Sequence, residues 1–416
     1  MVKTGWLPRL NAQVWVLVGG RFFSQIGSGI VLFYVPIYFV NQVGLSATAV
    51  GGALSSAAMA SVVGYFLAGA MTDMPMWGRR RTLMVSCLLS VVADGVFLAA
   101  HGLSLLVLAN VLMGLGDSLY WPASGAAITD LTDNDERDTA FAVSGLADSL
   151  GSGLGIVVGG LLITMSGSYS VLFMVDGITF LIFLGVLAAM VKDCDVVVPS
   201  QEAKTGVRAW LAVCSNPLFL LFAIANILFT TYMNWMESSL PLYVTKFVGN
   251  QGTGLAPATV GLLFSSYVIL VAVCQLPIVR WLSAYSRVRA LRLSMLLWGG
   301  GFGLVVLASV LPTGQGVLVM IALGVLAIAN VTYNPFAVAL VSEMAAPSSR
   351  GLYLSLNAQC WSVGYLVGPL LGGWALDQSA TAAHGLWAGA AVSTLIGFLI
   401  LGQLSRQQYL AEKPSA

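Results

Sequence analysis

The sequence predicts an all-α membrane protein with twelve transmembrane helices, arranged as two pseudo-symmetric six-helix bundles. Three observations carry that prediction. Hydrophobic residues make up 58% of the 416 residues and charged residues only 8%, whereas an ordinary soluble domain is about 25% charged. The apolar residues fall into runs of about 20, the length at which a helix crosses a bilayer. The second half of the chain also repeats the first in register.

In the first half the runs lie at approximately 14–40, 48–72, 81–100, 104–129, 139–164 and 168–191. In the second they lie at approximately 216–244, 257–281, 289–311, 315–342, 350–376 and 383–405. No secretory cleavage site precedes the first run, which is therefore expected to remain as a span. The loops alternate between short neutral ones and charged ones, and this sets the orientation. With the N-terminus inside, every basic residue except Lys246 and the embedded Arg21 falls on the cytoplasmic side, from Lys3 and Arg9 to Arg406 and Lys413. Both termini are then cytoplasmic. The longest polar segment, 192–215, holds Lys192, Asp193, Asp195, Glu202, Lys204 and Arg208. It reads as a cytoplasmic linker between a bundle at 1–191 and a second at 216–405, with a cytoplasmic tail at 406–416.

Eighteen basic and seventeen acidic residues leave a net charge of +1, which argues against nucleic acid as a partner. No lysine completes a GxxxxGK[ST] loop, so ATP binding through a P-loop is not expected. The five cysteines form no CxxC pair and the two histidines stand apart, so neither a metal site nor any other cofactor is implied.

The repeat is read on residues that do not match by hydrophobicity alone. A shift of 213 aligns Tyr120 with Tyr333, Pro122 with Pro335 and Arg137 with Arg350. The same shift aligns Gly151, Gly155, Gly159 and Gly160 with Gly364, Gly368, Gly372 and Gly373. A second block, 44–51, matches 254–261, and Pro36-Ile37-Tyr38 matches Pro241-Leu242-Tyr243. Duplicated six-helix halves are the architecture of transporters that alternate access to a midplane site. A receptor or an enzyme has no comparable use for the duplication.

These residues and two motifs resemble the major facilitator superfamily. Its loop between the second and third spans reads GxLaDrxGrkxxl. Here Gly69, Asp73, Gly78, Arg79, Arg80 and Arg81 supply the matching elements, with two extra residues between Asp73 and Gly78. An aspartate at a helix end and arginines in a tight loop imply a conformational latch between the halves. The second copy of the loop, 280–292, keeps its arginines and loses the Asp and Gly. Gly151, Gly155, Gly159 and Gly160 resemble the exporter-associated motif GxxxGPxxGG. Ile156 replaces its proline, while the second copy retains Pro369. Glycines four apart let a second backbone approach closely. The arginine that many drug/proton antiporters carry in the fourth span corresponds to Asn110 here, so coupling through that residue is not expected.

Ionisable residues inside spans are costly, roughly 2.5–3.5 kcal/mol each on insertion scales, and are functional candidates by default. Arg21, Asp117 and Asp148 lie at depths of about 10, 18 and 13 Å from the cytoplasmic end, taking about 1.5 Å per residue. The family places their helices side by side, so the three are expected to meet in one charge cluster that couples protons or binds substrate charge. Glu237 is expected to act as an outer gate or second proton site. Asp94 and Asp176 are expected to be structural, held by hydrogen bonds. Tyr120 and Trp121 follow Asp117 at helical spacing, and their counterparts are Asn330, Tyr333 and Asn334. With Tyr232 and Trp235 they are expected to line an aromatic substrate cavity suited to amphipathic ligands.

The resemblance is to multidrug or metabolite exporters of bacterial inner membranes. It implies a non-enzymatic secondary transporter, monomeric in the bilayer, whose partners are a small-molecule substrate and protons. Two alternatives on the same fold are an importer of a small polar solute and a lipid or siderophore exporter.

Overall fold

The computed structural model describes residues 10–73, 78–190, 213, 215–248, 254–311, 313–345 and 350–412. Secondary structure among them is helical throughout. The first half contains α1 (Ala12–Asn41), α2 (Ala47–Asp73), α3 (Gly78–Ala99), α4 (Leu103–Asp130), α5 (Asn134–Ser166) and α6 (Ser170–Met190). The second contains α7 (Pro217–Glu237), α8 (Ser239–Phe247), α9 (Pro257–Leu282), α10 (Arg287–Val310), α11 (Gln315–Met344), α12 (Arg350–Asp377) and α13 (Ala380–Glu412). Eleven of these helices are long and apolar enough to cross a membrane over their described residues. With the 28-residue α12 they make the twelve spans, since α7 and the short α8 share one. Most of the expected linker, 192–215, lies outside the described residues.

Local sequence accounts for the helix boundaries. Pro217 and Pro257 open α7 and α9 at positions whose N–H has no partner inside a helix. The Asn216 side chain caps α7 by accepting from Leu218 N at 3.0 Å. Gly167, at φ +67°, ends α5 in the left-handed conformation and donates to Ile163 O at 2.9 Å. The break between α7 and α8 falls four residues before Pro241. Proline has no N–H to give the Glu237 carbonyl, and its ring crowds that oxygen.

The chain forms two compact units, 1–38 with 56–199 and 39–55 with 200–416. The apolar interior of the first includes Leu17, Leu83, Cys87, Tyr120, Phe180 and Phe183. In the second, the rings of Tyr232, Trp298, Phe302 and Trp387 pack together with centroids 5.3–5.8 Å apart. Aromatic contacts of this kind fix side-chain positions in a membrane protein, where lipid tails supply no hydrophobic drive between helices.

The internal repeat is visible in individual contacts. Gly44 and Gly254 both take positive φ, +80° and +75°. After each glycine the chain closes the same bond, Leu45 N to Phe39 O at 3.0 Å and Leu255 N to Val244 O at 3.1 Å. The motif glycines of α5 pack on α1, Gly151 at Phe22 and Gln25, Gly155 at Ile26 and Gly159 at Tyr34. Their counterparts on α12 pack on α7 and α8, Gly364 at Thr230, Gly368 at Asn234 and Gly372 at Ser239. A Cβ at any of these glycines would overlap its neighbour, so each helix pair closes to backbone contact.

Candidate functional site

In the first unit the site is built around Arg21. Its guanidinium grips the Asp148 carboxylate with two nitrogens, Nε donating to Oδ1 at 3.0 Å and Nη2 to Oδ2. Nη1 donates to Ser124 Oγ at 2.7 Å. The guanidinium carbon lies 5.5 Å from the Tyr120 ring centre and 5.3 Å from that of Trp121. Arg21 is only 5% exposed, while Asp148 is half-buried. A planar two-point pair of this kind is the arrangement in which a buried arginine is tolerated.

Asp117 is not part of that cluster, which corrects the expected triad. The hydrogen bonds of Arg21 go to Asp148 and Ser124, which leaves no reason for a third partner. Asp117 is instead exposed on α4. Trp121, one turn further, is 43% exposed, while Tyr120 between them is 5% exposed and packs in the core.

The second unit repeats the pattern without the charge. Asn330 is half-buried and Asn334 exposed at the positions of Asp117 and Trp121, while Tyr333 is buried like Tyr120. The accessible stripe therefore runs through residues four apart and not through the tyrosines. Pairing Pro36 with Pro241 is a shift of 205, which places Asn226 where the first unit has Arg21. Asn226 accepts from Tyr333 Oη at 2.7 Å and donates to Asn357 Oδ1 at 3.0 Å. One repeat thus holds an ion pair and the other a neutral amide network in the same place.

Tyr232 and Trp235 are not cavity residues in this arrangement. Both are buried; Tyr232 Oη shares a 2.6 Å hydrogen bond with Ser393, and Trp235 Nε1 donates to Gly368 O at 2.7 Å. With Tyr120 and Tyr333 they are corrections to the expected cavity lining, because α-helical spacing alone does not say which side of a packed helix meets its neighbour. Glu237 is half-buried at the α7–α8 break and accepts from Tyr365 Oη at 2.5 Å. Asn330 Nδ2 donates to Tyr267 Oη at 2.7 Å. Tyr365 with Glu237 and Asn330 with Tyr267 are thus two hydrogen-bonded pairs of the second unit. Ser124, Tyr267, Tyr365 and Asn357 were not legible as site residues. Ser124 alone had a signal, three residues after Trp121 on the face of Asp117.

Of the latch residues, Gly69 and Asp73 lie in α2 with side-chain surroundings outside the described part. Gly78 takes φ +65° at the start of α3. Arg79 pairs with Asp130 at 2.8 Å, and Arg80 donates to Leu187 O at 3.0 Å and Ala188 O at 2.6 Å. Both arginines thus hold the C-terminal ends of α4 and α6 in their own unit, where a positive charge suits the helix dipole. Arg81 is exposed. Among the described residues, no hydrogen bond of normal geometry reaches the carboxyl group of Asp94 or of Asp176.

Comparison with known proteins gives a consistent family. The family model described as Major Facilitator Superfamily matches residues 17–251 and 240–414. A Na(+), Li(+), K(+)/H(+) antiporter of Planococcus maritimus is 24% identical, covering 86% of this chain and 88% of its own. The multidrug resistance protein MdtH of Shigella boydii is 23% identical over 97% and 96%. Among solved structures, the nucleoside transporter NupG superposes with a TM-score of 0.79 at 15% identity, covering 94% of this chain and 99% of its own. That likeness concerns the fold alone.

Proposed function

This chain belongs to the Major Facilitator Superfamily, and from that membership we propose that it exports amphipathic, cationic small molecules from a bacterial cell as protons enter. It is a multi-pass membrane transporter and not an enzyme. The observation that carries the finer reading is the accessible pair Asp117 and Trp121 on α4. A carboxylate on a spanning helix is costly against lipid and is retained where it meets water or a ligand. Beside an exposed indole ring it offers a cation both a counter-charge and a π face. Asn330 and Asn334 give the second repeat hydrogen-bonding capacity at the equivalent positions, with Glu237 and Tyr365 as a further acidic group.

The proposed mechanism is alternating access by two six-helix repeats, with both termini in the cytoplasm and the protein in the inner membrane. Asp73, Gly78, Arg79, Arg80 and Arg81 serve as the latch that stabilises one access state. The names of relatives support both parts of the reading, since one is called a multidrug resistance protein and another a cation/proton antiporter.

The test is transport in proteoliposomes carrying an imposed proton gradient, with ethidium as the cationic probe. Uphill ethidium movement that collapses with the gradient is expected. Asp117→Asn is expected to lower it about tenfold, the equivalent of about 1.4 kcal/mol in binding. Ethidium movement indifferent to both the gradient and Asp117→Asn overturns the proposal.

A further inference from the structure

Asp94 of α3 and Asp176 of α6 face one another in the interior of the first unit. They are 2% and 0% exposed. All four carboxyl oxygens lack a hydrogen-bond donor, and neither aspartate joins an ion pair among the described residues. Helices α3 and α6 pack together, and a Cβ placed at Gly177, the chain neighbour of Asp176, would lie 3.6 Å from Asp94 Cβ. Their surroundings are built to keep the carboxyls there. Gly27 of α1 lies against Asp176 Oδ1 and Thr179 Oγ1 with no room for a side chain. Gly177 leaves space beside Asp94, whose Oδ2 is 3.7 Å from where a Cβ at Gly177 would sit. Thr179 spends its own hydroxyl on Asp176 O at 2.8 Å.

Among the described residues, neither carboxyl group has a basic partner. On α1, Arg21 is engaged by Asp148, and Tyr34 donates to Ile156 O at 2.9 Å. The neighbouring α4, which packs on α3, carries a third acidic residue, Asp117. Two adjacent carboxylates cannot both stay ionised in a buried interior, because each is desolvated and repels the other. A proton must occupy the space between them.

We propose that Asp94 and Asp176 form a proton-binding dyad separate from the Arg21–Asp148 ion pair, holding one exchangeable proton as a carboxyl–carboxylate hydrogen bond. Asp94 lies five residues from the end of α3 and Asp176 six from the start of α6. Both are therefore about 8–9 Å from the same end of their helices, opposite to Arg79. In the orientation proposed above that end is external, so the dyad receives the entering proton, and Asp117 is its next acceptor. This last role rests on the proposed proton-coupled export.

The test is infrared difference spectroscopy of the full-length protein in lipid, titrated from about pH 5 to about pH 10. A protonated-carboxyl C=O band that titrates in the wild type is expected. It should be lost in Asp94→Asn and in Asp176→Asn, and kept in Asp117→Asn. A band constant across the range means a fixed hydrogen bond and overturns the proposal, as does a titrating band that survives both dyad substitutions. Displacement of the band by sodium or potassium at constant pH makes the occupant an alkali cation, which also overturns it. Because the wild-type titration is read directly, poor folding of a variant does not leave the question open. A titrating dyad in a protein that moves no ethidium would sink the export reading and leave the dyad standing.

Discussion

At the scale of single residues, the two repeats show how one position is reused with different chemistry. Arg21 and Asn226 occupy matching places, each beside a buried tyrosine, Tyr120 or Tyr333. The arginine requires a carboxylate within reach, and Asp148 supplies it; the asparagine is satisfied by Asn357 and Tyr333. Removing one member of the ion pair leaves an uncompensated charge, so Asp148→Asn is expected to destabilise the protein by about 3 kcal/mol. Removing both charges, Arg21→Met with Asp148→Leu, is expected to recover most of that loss. Thermal unfolding followed by tryptophan fluorescence in detergent checks both, and equal melting of the single and double variants would contradict the account. Asp117 could be recognised from the sequence as embedded and acidic, but not as separate from Arg21, because depth along a helix does not fix the direction of a side chain.

At the scale of elements, the second unit includes the first turns of α2 through a carboxylate from far along the chain. Asp377, the last residue of α12, accepts from Ala47 N at 2.6 Å and Thr48 N at 2.5 Å, the free N–H groups that open α2. One helix end therefore caps another, a favourable place for negative charge. Nearby, Ser55 Oγ donates to Leu366 O at 2.6 Å and Gly51 lies against Pro369. Partial burial works against the charged form of Asp377, but the bonds from Thr48, Ala47 and Ser46 outweigh it and hold the carboxyl below its usual value of 3.8. Because its folded value is depressed, the cap contributes fully above about pH 4 and is lost as the pH falls through the folded value. Asp377→Ala is expected to cost about 1 kcal/mol at neutral pH, lessened by solvent screening, and nothing once the pH lies below the folded value. Melting temperatures of the wild type and variant should therefore converge on acidification, and a constant difference would refute the capping role. The glycine motif of α5 was legible as a close-packing face, and its partners on α1 follow the same register in the second repeat. The cap was not legible, since nothing in Ser46, Ala47 or Thr48 points to a residue 330 positions away.

For the whole molecule, the few charges that a membrane protein tolerates form a map of its orientation. Lys246 on α8 is the lone basic residue that the proposed orientation assigns to the external face, and it assigns Arg406 near the end of α13 to the cytoplasmic side. A membrane-impermeant maleimide applied to intact cells is expected to label Lys246→Cys, and to label Arg406→Cys only after lysis. The reverse pattern would invert the topology and with it the assignment of the Asp94–Asp176 end as the entry side. The sequence by itself determined the all-helical class, the number of spans, the duplication and the family, because bilayer thickness dictates span length and the repeated Gly, Pro and Tyr positions are tied to backbone geometry. It also identified every embedded ionisable residue, since each is an exception in an apolar run. Only the tertiary structure decided how those residues are paired. Arg21 took Asp148 and Ser124, Asp117 was left accessible beside Trp121, and Asp94 met Asp176 with no donor between them. The physical reason is that span length and charge cost depend on one helix and its solvent, whereas pairing depends on how neighbouring helices are rotated and how closely they approach. That is set by glycine contacts such as Gly27 at Asp176 and Gly151 at Phe22, which a linear sequence does not contain.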